Sequence, residues 1–355
     1  MPFETSLTFG LNGRSDRLAA LRALADLTAG RVIRLTGSRP MLVLALETAP
    51  ADRIGRLIHS GAARLLVAAS DGCADARALA LSADQADPDA LRADLFAGTL
   101  VTRPGDAVDA GEAAALAALR RSALAPALVT VPAAAFPDDE TVAATASDIL
   151  ADTAAAEVDT AQPIAHGQVP LAESADSRFT LFSSPGRTRH HLAVMVGRPD
   201  HCEPVPVRIH SACLTGDLFA SLRCDCGEQL RSGIARLQAL GGGLLLYLDQ
   251  EGRGIGLANK LRAYTLQDDG LDTMAADAAL GFSGDERSYR AVPAMLAALG
   301  VGQVRPLTSN PEKLAALADA GVALASSLPH EGPMTAENAR YLTAKRARAA
   351  RFDGR

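Results

Sequence analysis

Cys213-Leu-Thr-Gly-Asp-Leu-Phe-Ala-Ser-Leu-Arg-Cys224-Asp-Cys226-Gly227 packs three of the chain's five cysteines into fourteen residues, and Cys73 and Cys202 stand apart. An odd, sparse set in a long chain does not read as a disulfide framework. Thiolates are good zinc ligands, and three of them leave a fourth position open. An open position suits catalysis, because zinc eases the deprotonation of water near neutral pH. The spacing also fits simple buried cysteines, or a structural site completed by a distant histidine such as His210.

Outward from this stretch the pattern is that of an α/β domain. Val205–His210 and Gly243–Leu248 read as strands. Between them Leu230, Ile234, Leu237 and Leu240 recur at helical spacing, and Gly241-Gly242 stops that helix. Leu257–Leu266 reads as a helix, as does Glu286–Leu299 with Pro293 as a kink, and Val304–Leu307 as a strand. Asn310-Pro311 then places a cap and an N1 proline at the start of another helix, which Ala320-Gly321 ends.

Three further stretches carry candidate chemistry. Gln250-Glu251-Gly252-Arg253-Gly254-Ile255-Gly256 is a glycine-rich turn between strand and helix, where backbone N–H groups can face an anion. Glu251 could accept from a purine edge and Arg253 could pair with a phosphate; an exposed ion pair on a tight turn fits equally. Asp285-Glu286-Arg287 offers a base and a phosphate partner, or ordinary capping. Thr308-Ser309-Asn310-Pro311-Glu312-Lys313 is a strand end running into a helix N-terminus, again a phosphate cradle or a plain cap. Tyr264 lies on the helix after the glycine turn. Together these suggest a zinc-water hydrolase acting on a phosphorylated, purine-like substrate.

The 355 residues suffice for two domains of ~100–200 residues each. With 48% hydrophobic and 21% charged residues the chain is not a disordered one. It has no apolar run of about 18 residues, so no membrane helix is expected, and the polar start around Glu4 predicts a cytoplasmic protein. Thirty-five basic against 41 acidic residues give a net charge of −6, which disfavours nucleic acid as a partner. Only Lys260, Lys313 and Lys345 are lysines. In the first half, Arg31–Thr36 and Met41–Glu47 read as strands joined at Gly37-Ser38-Arg39-Pro40, Asp52–Ser60 as a helix and Ala63–Ala69 as a buried strand. The expectation is an α/β (α+β) protein of two domains. Residues 1–155 form an α/β domain, 156–185 a linker, 186–345 a catalytic domain with a mixed sheet and flanking helices, and 346–355 a basic tail.

From about 190 to 345 the chain closely resembles the GTP cyclohydrolase II family of riboflavin biosynthesis. The resemblance runs through Arg208-Ile-His-Ser-Ala-Cys-Leu-Thr-Gly-Asp217, Ser221–Gly227, Gln250–Arg253, Ile255–Leu257, Arg262–Tyr264, Leu266–Asp268, Asp272-Thr273, Leu280–Phe282, Asp285–Arg287 and Thr308–Lys313. It implies that Cys213, Cys224 and Cys226 hold one zinc per subunit. It implies attack of water at C8 of guanine, loss of formate, and release of pyrophosphate with magnesium accompanying the triphosphate. Arg287 matches the family's proposed nucleophile at the α-phosphorus, Asp285 a proton acceptor and Tyr264 a tyrosine of the ring chemistry. Arg208, His210, Ser211, Gln229, Glu251, Gly252, Arg253, Thr273, Thr308 and Lys313 match nucleotide-contacting positions. An arginine nucleophile is chemically unusual, since guanidinium stays protonated, and electrostatic stabilisation is the alternative. A homodimer is the family habit. The chain departs from the family at Ala212, where a glutamate is common, at Asp249, where arginine is usual, and at Ser309, where asparagine is usual.

The first half faintly resembles a 3,4-dihydroxy-2-butanone-4-phosphate synthase domain at Leu24–Ser70, including Glu47-Thr-Ala-Pro50. The acidic loop of that family is here only Thr36-Gly-Ser-Arg-Pro40, without a carboxylate. The resemblance therefore implies a degenerate, non-catalytic domain.

Overall fold

The computed structural model describes residues 14–37, 39–69, 72–81, 87–100, 105–136, 141–149, 161–183, 190–199, 204–283, 285–308 and 310–330. The expected basic tail, 346–355, and Lys345 lie outside these residues. The chain divides into two units that do not follow one cut in the sequence. Unit one is Met1–Ala155 with Leu261–Gly284, and unit two is Ala156–Lys260 with Asp285–Arg355.

Unit one opens with α1 (Arg14–Thr28), β1 (Ile33–Thr36), β2 (Met41–Ala45), α2 (Ala51–Ile58), β3 (Arg64–Ala69), β4 (Gly72–Ala80) and α3 (Pro88–Phe96). It continues with β5 (Asp106–Ala107), α4 (Ala110–Arg121), β6 (Ala127–Pro132) and β7 (Val142–Thr145). The strands form a seven-stranded sheet in the order β5-β4-β3-β6-β2-β1-β7. β1 and β2 pair antiparallel, Ile33 opposite Val43 and Leu35 opposite Met41, as the turn at Gly37–Pro40 predicts. β1 pairs parallel with β7. β2 is buried along its whole length because both faces of the sheet are covered. Leu42 and Leu44 pack with Ile54 and Leu57 of α2 and Leu95 of α3. Met41, Val43 and Ala45 pack oppositely with Leu27 of α1 and Leu116 and Leu119 of α4. α4 begins in a capping box: Asp109 Oδ1 accepts from the Glu112 amide at 2.9 Å, and Glu112 Oε2 accepts from the Asp109 amide at 2.9 Å.

Unit two carries β8 (Gln162–Gln168), β9 (Ser177–Ser183), β10 (His190–Gly197), β11 (Val205–Ser211), α5 (Leu214–Asp217), α6 (Cys226–Ala239) and β12 (Gly242–Leu248). A 3-10 turn follows at Glu251–Gly254, then α7 (Gly256–Asp268) and α8 (Thr273–Ala279). α9 (Ala291–Ala298), β13 (Val304–Pro306) and α10 (Pro311–Asp319) complete it. α7 starts in unit two, and from Leu261 onward it and α8 gather with unit one. The sheet order is β13-β11-β12-β10-β9-β8. β11 is parallel to β12 and β13, while β12-β10-β9-β8 run antiparallel, so the sheet is mixed. Leu244 and Leu246 of β12 face Val292 and Met295 of α9 and Leu317 of α10; Leu245 faces Leu237 of α6. Helices thus cover both faces of the central strands.

Three expectations need correction. Residues 156–185 are not simply a linker, because β8 and β9 occupy Gln162–Gln168 and Ser177–Ser183 and pair with each other. Residues 261–284, placed by the sequence in the catalytic domain, gather with the N-terminal half. The helix expected from Glu286 starts only at Ala291. The backbone of residues 286–288 is bonded elsewhere: the Glu286 amide donates to the Arg253 carbonyl at 2.9 Å, and the Ser288 amide to Gln250 Oε1 at 3.0 Å. Pro293 then falls in the helix's first turn, where proline breaks no hydrogen bond.

Candidate active site

The parallel strands of unit two end together, and ligands of α/β sheets gather at such carboxyl ends. β11 ends in His210 and Ser211, and two residues on Cys213 is the N-cap of α5. Cys226 is the first residue of α6. These elements bring the sulfurs of Cys213, Cys224 and Cys226 within 4.8 Å of one another, with Cys213 and Cys224 3.6 Å apart. Gly216 fits between them. A Cβ there would lie 2.7 Å from Cys224 Sγ and 3.1 Å from Cys213 Sγ. The three donors, all thiols, and the small residue beside them fit a zinc ion.

Lys260, on the first turns of α7, is buried beside this cluster. Its ammonium donates to Cys213 Sγ at 3.1 Å, Thr215 Oγ1 at 2.9 Å and Glu251 Oε1 at 2.8 Å. Bonds from Cys224 and Cys226, with the nearby lysine, lower the Cys213 thiol despite its burial. The same bonds to Cys213 raise Cys224 and Cys226. His210 is turned elsewhere, with Nε2 3.0 Å from Asp217 Oδ1 and its ring stacked on Tyr247 at 5.5 Å. Asp217 also accepts from Tyr247 Oη at 2.9 Å and from the Cys213 amide at 3.0 Å, so it fixes the entry to α5.

Glu251 is already engaged. Besides Lys260 it accepts from the Leu214 amide at 2.5 Å and the Gly252 amide at 2.8 Å. Gly252 and Arg253 both adopt left-handed backbone, φ 61°. For arginine this is a strained conformation. The buried Gln250 ties the turn to its neighbours, donating to Ser211 Oγ at 2.9 Å and accepting from Ser288.

Arg287 grips Asp285 with both Nε, at 2.8 Å, and Nη2, at 2.5 Å. Burial alone would raise the Asp285 carboxyl, but these bonds, the charge of Arg287 and that of Arg253 hold it below its ordinary value. Arg208 is buried. Its Nη1 donates to the Leu307 carbonyl at 2.9 Å and Nη2 to Gln229 Oε1 at 2.5 Å, while Nε has no partner among the described residues. Burial lowers its pKa to about 10, against the raising charge of Asp225. Thr308 Oγ1 accepts from the Asn310 amide at 3.2 Å. Asn310 caps α10 as the sequence predicts, with Pro311 at N1. Lys313 Nζ reaches the Ile209 carbonyl at 2.5 Å and lies 5.8 Å from the Tyr289 ring centroid.

Unit two therefore brings together Arg208, His210, Ser211, Cys213, Cys224, Cys226, Gln229, Glu251, Gly252, Arg253, Asp285, Arg287, Thr308 and Lys313. Tyr264 and Thr273 belong instead to the segment that gathers with unit one. Sequence reading missed Lys260, Asp217, Gln250 and Tyr289 as site residues. The rarity of lysine pointed to Lys260. Tyr289 is a buried tyrosine next to Asp285 and Arg287; burial raises its hydroxyl against the pull of Arg287.

A thiol cluster with a buried lysine on it, in a unit that also carries Arg208, Arg253, Arg287 and Lys313, defines a candidate metal centre. Residues 163–329 match the family model for GTP cyclohydrolase II. A GTP cyclohydrolase-2 of Azospirillum brasilense is 38% identical over 326 residues, 90% of this chain and 83% of its own length. One from Xylella fastidiosa (strain 9a5c) is 47% identical over 253 residues, 69% of this chain. One from Teredinibacter turnerae is 47% identical over 167 residues, 47% of this chain and 84% of its own length. The match spans only 62% of the Xylella protein. The chain belongs to the GTP cyclohydrolase II family.

Proposed function

We propose that this chain is a zinc-dependent GTP cyclohydrolase II. It would open the imidazole ring of GTP and release formate and pyrophosphate, giving 2,5-diamino-6-hydroxy-4-(5-phosphoribosylamino)pyrimidine, the first step of riboflavin biosynthesis. The observation that carries this reading is the approach of the Cys213, Cys224 and Cys226 sulfurs within 4.8 Å, in a member of this family. When bound, zinc would supply Lewis-acid activation of water at the guanine ring.

The protein's own residues do the rest. Lys260 balances the charge of the thiolates and holds Glu251 against the start of α5. Arg208, Arg253, Arg287 and Lys313 supply the positive charge that a triphosphate needs. The two hydrogen bonds it donates to an ionised Asp285 keep the Arg287 guanidinium protonated and aimed, which supports electrostatic stabilisation of the phosphoryl group over nucleophilic attack. Asp285, held below its ordinary pKa, is a weak proton acceptor, and orienting Arg287 is the role its bonds favour. Magnesium would arrive with the triphosphate. Tyr264 belongs to the same reading as a catalytic residue of the ring chemistry and Thr273 as a nucleotide-binding residue, and so does a cytoplasmic homodimer. Among the described residues no helix is long and apolar enough to cross a membrane.

The test is GTP turnover by metal-analysed protein, with formate and pyrophosphate followed together. Both products in step support the reading. Pyrophosphate alone would indicate a divergent relative that has lost ring opening, and GTP binding without product would indicate a regulator.

A further inference from the structure

Glu47 stands just beyond β2 and is unused by the chemistry above. One carboxylate oxygen accepts from the Ala125 amide at 2.7 Å, and the other from Arg262 Nη1 at 2.8 Å. The two side chains of this pair are 10% and 23% exposed. The Arg262 guanidinium carbon also lies 3.7 Å from the centroid of the Phe96 ring, at the end of α3. Two close approaches accompany the pair. A Cβ at Gly98 would lie 2.6 Å from the Ala279 Cβ, and one at Gly281 would lie 2.9 Å from Pro126 Cγ and 3.0 Å from the Ala68 carbonyl oxygen. All of these but the Glu47–Ala125 bond join the N-terminal half to residues 261–284.

We propose that the N-terminal half is a positioning scaffold for residues 261–284, with Glu47 and Arg262 as the pair that sets the register of α7. α7 is one continuous helix. Arg262 is held by Glu47, and two residues earlier Lys260 is bonded to Cys213, Thr215 and Glu251. Tyr264, a further two residues on, rides on the same helix. A half-buried pair whose partner is removed leaves an uncompensated charge, so the helix would shift or loosen. Small misplacements of positioned groups carry large rate penalties. The catalytic part of this inference rests on the proposed function; the structural part does not.

The experiment uses the full chain with Glu47→Gln, Arg262→Met and the exchanged pair Glu47→Arg/Arg262→Glu. Hydrogen exchange of peptides covering 261–284 is the first readout. We expect both single variants to exchange there at least about tenfold faster, while β2 and β6 keep their protection. GTP turnover is the second, with kcat reduced more than KM is raised, zinc content retained and the exchanged pair recovering part of the loss. Arg262→Lys, which keeps the charge but not the fork, gives an intermediate effect and serves if the other variants fail to fold. Unchanged exchange over 261–284 in folded single variants overturns the proposal. A wild-type protein that exchanges as expected but turns over no GTP overturns the proposed activity and leaves the scaffold standing.

Discussion

Gly216 shows how much of the candidate metal centre rests on the absence of one methyl group. Gly216→Ala would drive a carbon into Cys224 Sγ and Cys213 Sγ, and we expect metal content to fall with little change in circular dichroism. Cys224→Ser removes one of the three proposed zinc ligands with only a small change in volume, so zinc should be lost and formate release should drop at least about a hundredfold while the fold survives. Full turnover by the metal-free variant would contradict the mechanism. Asp285 gives a pH dependence with a definite sign. Its folded pKa lies below the ordinary value, so its contribution to stability is present above the unfolded value, near ~3.9, and is lost as pH falls through the folded one. Urea unfolding of wild type should therefore weaken more than that of Asp285→Asn as pH is lowered toward 3. Arg253 sits in left-handed backbone at φ 61°, so Arg253→Gly should gain about 1 kcal/mol of stability while raising the KM for GTP.

At the scale of elements, legibility followed the locality of the signal. The start of α10 was readable because Asn310 and Pro311 are adjacent to the amides they cap or replace. β2 and β12 were readable because dense apolar runs bounded by turns mark strands covered on both faces, and β1 because Ile33 and Leu35 alternate with polar residues. The start of α9 was not, because Gln250 and Arg253, more than thirty residues earlier, take the amides of Ser288 and Glu286. The strands β8 and β9 hid in a stretch whose polar composition suits an exposed edge: every residue of β8 is exposed. The same locality explains the site. The cysteine spacing announced the cluster, whereas Lys260, thirty-four residues beyond Cys226, shows its partners only once α7 is placed. In the core, Leu246 of β12 is fully buried against α9 and α10, and Leu246→Ala should cost about 2–5 kcal/mol in denaturant unfolding.

Taken as a whole molecule, the two halves named by the sequence are not the two units of the fold. Leu280 and Phe282 are fully buried; they flank Gly281, which abuts Pro126, and Leu280 follows Ala279, which abuts Gly98. A chain cut to begin at Ala156 should expose them, bind an apolar dye and aggregate more readily than the full chain. The discontinuity also sets a timetable. Unit one is finished by Leu261–Gly284, a segment whose synthesis begins about a hundred residues after Ala155. At the usual pace of synthesis the N-terminal sheet waits on the order of ten seconds for the helix that covers Glu47. During that interval the nascent chain holds an unfilled berth at Glu47, Phe96 and Gly98, which only the later arrival of Arg262 and Ala279 can fill.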